Sequence, residues 1–356
     1  MIITRTPFRI SFFGGGTDYP DWFTHQGGAV LATTIDKYCY LTCRFLPPFF
    51  EHRIRIVYAN IENCHTVDEI KHPAAREVLR YMEIDRGVEI HHDGDLPARS
   101  GMGTSSSFTV GLLHAVYALK GQMPTKQRLA SESIMIEHDM MLETVGCQDQ
   151  ILAAHGGLNQ VTFAQDGSHN VQTLTLPKER IDLLNDHLML FFTGVSRTSS
   201  EVASGYVEDM MAKEKQLRSI AAMVTQAVSI LNNGNDINEF GLLLHEAWQA
   251  KRSISPLISN PTIDQIYDRA RHAGAGGGKL LGAGGGGFML FFVPPQFQGK
   301  VREELQDLIH VPFQFEPNGS QVIYYDHERD YSQEDTLRSS QPAMAFSELN
   351  ETELKR

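Results

Sequence analysis

The chain has 356 residues, 42% hydrophobic and 21% charged, enough to bury a sizeable core and long enough to favour two domains over one. Lys and Arg number 31 and Asp and Glu 43, so the net charge of −12 excludes broad binding to nucleic acid or a membrane surface, and any anionic ligand must be held by a local arrangement. "MIITRTPFRISFF" lacks the layout of a signal peptide, no apolar run is long enough to span a bilayer, and Cys39, Cys43, Cys64 and Cys147 are spaced like reduced thiols, so a cytoplasmic protein is expected.

In chain order, residues 1–13 read as a strand or strand pair that ends at Gly14-Gly15-Gly16. "TIDKYCYLTCRFL" and "RIRIVYANI" read as a hairpin turning at Pro47-Pro48, and "GVEIHHDG" as a further strand. Helical spacing follows over Thr104 to Leu119 and Thr125 to Thr144, separated by Gly121 and Pro124, and "DQILAAH" is a short helix stopped by Gly156-Gly157. After the strands "LNQVTF" and "VQTLTL", the polar stretch "PKERIDLLNDH" marks a boundary, giving expected domains 1–185 and 186–330. The second unit opens with "LMLFFTG", carries helical patterns over Ser200 to Leu231 and Ile237 to Lys251, and closes with strands around "FMLFFV" and "SQVIYY". Residues 331–356 are polar and weakly periodic, and a mobile tail is their default reading.

Chemistry concentrates first in "GMGTSSSF", residues 101–108, at the mouth of a helix. The first turn of a helix exposes unpaired N–H groups and positive dipole, and glycines just upstream let a polyphosphate approach them. One hydroxyl of the block suits a helix cap and another a magnesium ion, but a plain Ser/Thr cap after a flexible turn fits the same residues. Two other glycine clusters fail on context. "GAGGGGF", 282–288, matches a dinucleotide fingerprint but runs into a strand, and "GAGGGKL", 274–280, is one residue short of a Walker loop and has Leu280 where a hydroxyl is needed.

In "IEHDMMLETVGCQDQ", Glu137 falls inside a helix and Asp149 at the N-terminus of the next, where the dipole favours an ionised carboxylate able to receive a hydroxyl proton. A solvated helix charge and a helix cap are the alternatives. In "PFRISFFGGGTDYPDW", Arg9 stands in an otherwise apolar strand, and Asp18 follows a glycine turn suited to presenting polar groups to a sugar. An edge-strand arginine and an Asx-type turn fit equally well.

The segments "PFRISFFGGGTDY", "DLPARSGMGTSSS" and "KLLGAGGGGFMLFF", in this order, resemble the three motifs of the GHMP kinase superfamily, and "GCQDQ" resembles its segment with the catalytic aspartate. The match runs from about Ile3 to Pro294. It implies an α+β, two-domain GHMP kinase fold, with an N-terminal domain like the second domain of ribosomal protein S5 and a ferredoxin-like C-terminal domain. It further implies an ATP loop of Gly101, Met102, Gly103, Thr104, Ser105 and Ser106, with Arg99 beside it, and magnesium on Ser105 and Glu137. Asp149 would be the general base and Arg9 the cation next to it. Gly15, Gly16, Thr17 and Asp18 would line the sugar site, and Gly284, Gly285, Gly286 and Gly287 would pack on the phosphate loop. Thr104 replaces the first serine of the commoner loop and keeps its hydroxyl.

Gly15-Gly16 stand where galactokinases have Glu-His, which removes two polar sugar contacts and makes galactose an unlikely substrate. The glycine version is most similar to the branch of heptose 7-phosphate kinases and fucokinases, which phosphorylate the anomeric hydroxyl on the way to nucleotide-activated sugars for surface polysaccharide. The expected activity is therefore ATP-dependent phosphorylation of D-glycero-D-manno-heptose 7-phosphate at C1. An unphosphorylated sugar and a non-catalytic sugar sensor are the alternatives. Arg197, with Lys251 and Arg252 behind it, is the expected holder of a distal phosphate, while Lys279 suits ATP phosphates or a structural ion pair. The small sugar phosphate is the expected partner, and a homodimer is left open.

Overall fold

The computed structural model describes residues 1–194, 210–234, 236–327, 329 and 331–341. Arg197 and the start of the helical pattern at Ser200 lie outside the described residues, as does the tail beyond residue 341.

The elements in order are β1 (Ile2–Phe13), α1 (Pro20–Gln26), β2 (Gly28–Phe45), β3 (Ile54–Val57), β4 (Ile61–Cys64), α2 (Pro73–Tyr81), β5 (Val88–Gly94), α3 (Thr104–Leu119), α4 (Lys126–Met135) and α5 (Gln148–His155). They continue with β6 (Leu158–Phe163), β7 (His169–Thr173), α6 (Lys178–Asp186), β8 (Leu188–Phe192), α7 (Glu214–Asn232), α8 (Asn238–Arg252), α9 (Pro261–Ala273) and β9 (Gly277–Leu280). The last are β10 (Phe288–Phe292), α10 (Pro295–Glu304), β11 (Ile309–Val311), β12 (Gln321–Tyr325) and α11 (Ser332–Ser340).

The 18-residue β2 organises the first sheet because it is long enough to serve different partners at its two ends. β1 runs antiparallel along one edge, while the other edge pairs with β6 over Gly28–Thr33 and with β5 over Cys39–Phe45. The sheet is eight-stranded, in the order β12-β1-β2-β5-β3-β4, with β6 and β7 branching off β2. A second, four-stranded antiparallel sheet has the order β11-β8-β10-β9. α3 is buried around almost its whole circumference, as its apolar sequence on all sides requires. Among the described residues no helix is long and apolar enough to cross a membrane.

Three expectations change. The strands flanking Pro47-Pro48 are not a hairpin: β5 lies between β2 and β3, and β3 instead pairs antiparallel with β4 and parallel with β5. "SQVIYY" does not close the second unit, since β12 returns to the first sheet and pairs with β1, Ile2 opposite Tyr325. The helix expected to reach Thr144 ends earlier: a π-type turn over Ile136–Met140 follows α4, and Leu142 adopts φ +56°, which a continuing helix does not allow. Of the polar tail, residues 332–340 form α11.

The segment returning to β12 is threaded through glycines. Gly156, at φ +72°, ends α5 so close to this segment that a Cβ would stand 2.0 Å from the Asn318 carbonyl carbon. Gly157 N–H donates to Glu316 O and Ser320 N–H to Ala153 O. Both obstacles to a side chain are backbone. Gly156→Ala should therefore destabilise the fold by at least about 1–3 kcal/mol, the usual scale for forced left-handed backbone, read as a lower urea midpoint.

Candidate active site

A cleft of about 640 Å³ opens where the N-terminus of α3 meets β1, the N-terminus of α5 and the loop after β9. Gly103 occupies the N-cap position of α3 at φ 72°, and no side chain caps the helix. The hydroxyls that could have done so are committed elsewhere. Thr104 Oγ1 accepts from Arg99 N–H at 3.3 Å, Ser106 donates to Glu137 Oε2 at 2.9 Å, and Ser107 donates to Pro7 O at 2.9 Å. Ser105 is exposed on the cleft wall. The simple cap is thereby excluded, and the first-turn N–H groups are left to an anion.

The loop before α3 is clamped from both sides. Arg9 N–H donates to Met102 O at 3.1 Å, so the loop docks on β1, while the Met102 side chain is buried in the core and takes no place in the cleft. On the other side, a Cβ on Gly282 would lie 2.5 Å from Gly101 Cα, and one on Gly287 would lie 2.2 Å from Ser100 O. Packing on the loop thus falls to Gly282 and Gly287. Gly284 and Gly285 turn instead onto Ile258, whose carbonyl accepts from Gly285 N–H at 3.0 Å.

Arg9 joins the loop to Asp149. Its guanidinium donates from Nε to Oδ1 at 2.6 Å and from Nη2 to Oδ2 at 2.7 Å, and from Nη1 to Gly101 O at 2.6 Å. The Asp149 carboxylate lies 3.3 Å from where a Gly103 Cβ would stand, directly beside the uncapped helix. Two fork-like bonds leave each carboxylate oxygen a further lone pair for a ligand proton.

Glu137 sits on the π-type turn, fully buried. Burial raises its carboxyl to about 7, against the opposing pull of the Thr109 and Ser106 hydroxyls, and Gln150 Nε2 also donates to its Oε2. Its Oε1 is buried without a hydrogen-bond partner. Among the described residues no cluster of three or more His, Cys, Asp or Glu forms a metal-binding set. One orphaned carboxylate oxygen near hydroxyls nevertheless suits magnesium, which commonly takes one or two carboxylates and fills its shell with water and phosphate oxygens. The hydroxyl bonded to Glu137 is that of Ser106, while Ser105 stays exposed on the cleft wall.

At the opposite end lie Ser11, Gly15, Gly16, Asp18, Gln148, Lys251 and Lys279. Asp18 is held by Gly16 N–H at 2.9 Å and by Gln148 through Nε2 at 2.8 Å, and Gly146 must lack a side chain because a Cβ would fall 2.0 Å from Asp18 Oδ2. Burial, reinforced by the charge of Asp149, raises the Asp18 carboxyl above its ordinary value. Thr17 does not reach the cleft: it is fully buried, with its hydroxyl donating to Gly14 O and Ala29 O. Among the described residues Lys279 forms no ion pair, and it donates to Ser11 O and Phe12 O at 2.9 Å each, tying the second sheet to β1. Burial and the neighbouring Lys251 and Arg9 hold its ammonium well below the usual lysine range. Lys251 donates to Gly282 O, and burial, with Arg9 nearby, lowers it to about 8. Arg252 turns away to Asp264 at 3.0 Å.

Sequence reasoning missed the aromatic end of the cleft. His72 stacks on Phe108 at 4.4 Å between centroids, Tyr58 meets His72 edge-on at 5.0 Å, and His92 meets Phe108 edge-on at 5.1 Å. Burial pushes His72 down to about 4, so its ring is neutral near pH 7, and its Nδ1 accepts from Ala75 N–H at the start of α2. These rings come from four separate segments, and no local pattern announces them; the nearest signal was His72-Pro73 opening a helix. Flat neutral rings beside a polyphosphate-binding helix end suit a planar base.

Comparison with known proteins matches residues 68–157 to the GHMP kinases N terminal domain and residues 220–310 to the GHMP kinases C terminal domain. A D-glycero-alpha-D-manno-heptose 7-phosphate kinase of Campylobacter jejuni is 28% identical over 305 residues, covering 83% of this chain and 90% of that one. A bifunctional fucokinase/GDP-fucose pyrophosphorylase of Arabidopsis thaliana is 23% identical over 85% of this chain and 31% of its own. The crystal structure of a D-glycero-D-manno-heptose 1-phosphate kinase from Bacteroides thetaiotaomicron has the same fold, with a TM-score of 0.74 at 24% identity over 91% of this chain and 100% of that one.

Two outcomes are expected from this geometry. Gly287→Ala should displace Ser100 and weaken triphosphate binding about tenfold or more, measured by titration with a fluorescent nucleotide, since about 1.4 kcal/mol of strain suffices. Glu137→Gln should keep or raise the metal-free melting temperature while abolishing the stabilisation that magnesium adds; an unchanged magnesium shift would remove Glu137 from the metal site.

Proposed function

The chain belongs to the GHMP kinase family, and on that premise we propose that it transfers the γ-phosphoryl group of ATP to the anomeric hydroxyl of D-glycero-D-manno-heptose 7-phosphate. It is a phosphotransferase acting on a sugar hydroxyl, and ATP is the donor used by its family. The observation that carries the reading is the Asp149 carboxylate, gripped by Arg9 beside the uncapped N-terminus of α3.

In this reading the adenine lies against His72, Phe108 and Tyr58, and the phosphates meet the N–H groups of residues 103–106, with Arg99 at the rim. Glu137 Oε1 and the Ser105 hydroxyl would hold magnesium, with Ser106 and Gln150 orienting Glu137. Bound there, the ion neutralises phosphate charge during transfer. Asp149 accepts the proton of the attacking hydroxyl through a lone pair that Arg9 leaves open. Arg9 keeps that carboxylate in place and offsets charge on the group in flight. Lys251 and Lys279, which among the described residues donate only to backbone carbonyls, favour an acceptor or transferred group that carries phosphate. Gly15 and Gly16 leave room at the acceptor end for a seven-carbon sugar. The product would be a 1,7-bisphosphate, an intermediate suited to nucleotide activation and polysaccharide assembly.

Asp149→Asn should retain nucleotide binding and lose about 10²- to 10⁴-fold in kcat, the usual contribution of a positioned base, measured by coupled ADP release. The same assay with heptose 7-phosphate, sedoheptulose 7-phosphate, L-fucose and D-mannose tests the acceptor. Preference for heptose 7-phosphate is expected, and faster turnover of L-fucose would move the assignment to a fucokinase-like 1-kinase.

A further inference from the structure

The acceptor end of the cleft contains a carboxylate that is already satisfied and two polar atoms that are not. Asp18 is 1% exposed, and both its oxygens accept hydrogen bonds: Oδ1 from Gly16 N–H, Oδ2 from Gln148 Nε2 at 2.8 Å and from Gln148 N–H at 3.4 Å. Ser11 Oγ and Gln148 Oε1 are buried without a partner among the described residues, on residues 6% and 8% exposed that both line the cleft. Such orphaned groups are uncommon in a folded interior, because each gives up hydration without replacement.

Gly15 shows that Ser11 and Gln148 border one space. A Cβ there would stand 3.7 Å from Ser11 Oγ and 3.8 Å from Gln148 Nε2, at ordinary contact distance from both. The absent side chain leaves that volume to a ligand. The orientation of the Gln148 amide follows from Asp18: the Asp18 oxygens accept from Gly16 N–H and Gln148 N–H, and Gln148 Nε2 donates to Oδ2, so the NH2 faces the carboxyl and the carbonyl oxygen turns away from it. Gln148 and Asp149 line the same cleft, and the charge of Asp149 reaches the Asp18 carboxyl to which Gln148 donates, so one acceptor can meet both residues through neighbouring hydroxyls.

Resting on the kinase reading above, we infer that Ser11 and Gln148 are the residues that read the acceptor, recognising a hydroxyl vicinal to the one phosphorylated, and that Asp18 is a positioning residue acting through Gln148. The substrate class is then a vicinal diol, one hydroxyl donating to Gln148 Oε1 and its neighbour reacting at Asp149, with Ser11 Oγ available to either as donor or acceptor. Asp18 touches no sugar atom.

The test compares heptose 7-phosphate with its 2-deoxy analogue in the full-length protein, using whichever panel sugar the wild type turns over best if that is another. The wild type should discriminate against the 2-deoxy acceptor by about tenfold or more in kcat/KM, since losing a hydrogen bond to a buried group leaves it unpaired. Ser11→Ala should raise the acceptor KM several-fold and leave the ATP KM unchanged. Because it deletes an unsatisfied hydroxyl, it should also leave the melting temperature of the free protein unchanged or higher, which a structural serine would not allow. Gln148→Met should abolish the preference over the 2-deoxy sugar. Asp18→Asn, which lets the Gln148 amide turn over, should do the same, and the double variant should be no worse than either single one. Retained 2-deoxy discrimination in both Ser11→Ala and Gln148→Met would overturn the inference while leaving the kinase reading intact. Multiplying losses in the Asp18→Asn/Gln148→Met pair would place Asp18 on the sugar itself and refute its positioning role. Turnover of no sugar by the wild type would overturn both readings.

Discussion

The guanidinium of Arg9 is the junction on which the site depends. It reaches from β1 to the N-terminus of α5 and to the loop that opens α3, holding Asp149 with two bonds and Gly101 with a third. A lysine could not do this, because a point charge lacks the planar fork that satisfies a carboxylate bidentately while leaving another nitrogen for a carbonyl. Burying the charge at 5% exposure would be unfavourable alone, and the paired carboxylate and carbonyl are what make it tolerable. The same contact therefore holds the Asp149 carboxylate and the loop before the uncapped helix end in one geometry.

Around that junction, polypeptide backbones approach more closely than side chains would permit. Gly101 meets Gly282, Ser100 meets Gly287, and Gly146 meets the Asp18 carboxylate. Each contact joins segments far apart in the chain, so the cleft walls are set by main chain, which cannot shift rotamers to absorb an error. The two sheets are linked at the same place by the ammonium of Lys279 on the carbonyls of Ser11 and Phe12. Structural cohesion and site geometry thus use the same few atoms.

The free site is electrostatically unrelaxed. Glu137 Oε1, Ser11 Oγ and Gln148 Oε1 are buried without partners, Glu137 is raised by burial, and Lys251 and Lys279 are lowered by it. Unfavourable solvation of this kind in a preorganised cleft is relieved when charge and hydroxyls of the right sign arrive. In a chain of net charge −12, positive character is gathered in this cleft by a helix end and by Arg9, Lys71, Arg99, Lys251 and Lys279.

The amino-acid sequence by itself determined the local elements and the chemistry-bearing residues. Helix α3 runs over Thr104–Leu119, as its periodicity required, α5 stops at Gly156, and Arg9, Glu137 and Asp149 stood out through residue type and position. Only tertiary structure decided how those pieces meet. It placed β5 between β2 and β3, returned β12 to β1, gathered His72, Phe108 and Tyr58 into one pocket, gave Glu137 the hydroxyl of Ser106, and removed Thr17 and Arg252 from the cleft. The physical reason is range. Helix spacing, turns and caps are interactions among near neighbours in the chain, whereas strand order and hydrogen-bond partners depend on which distant surfaces fit when the core is buried.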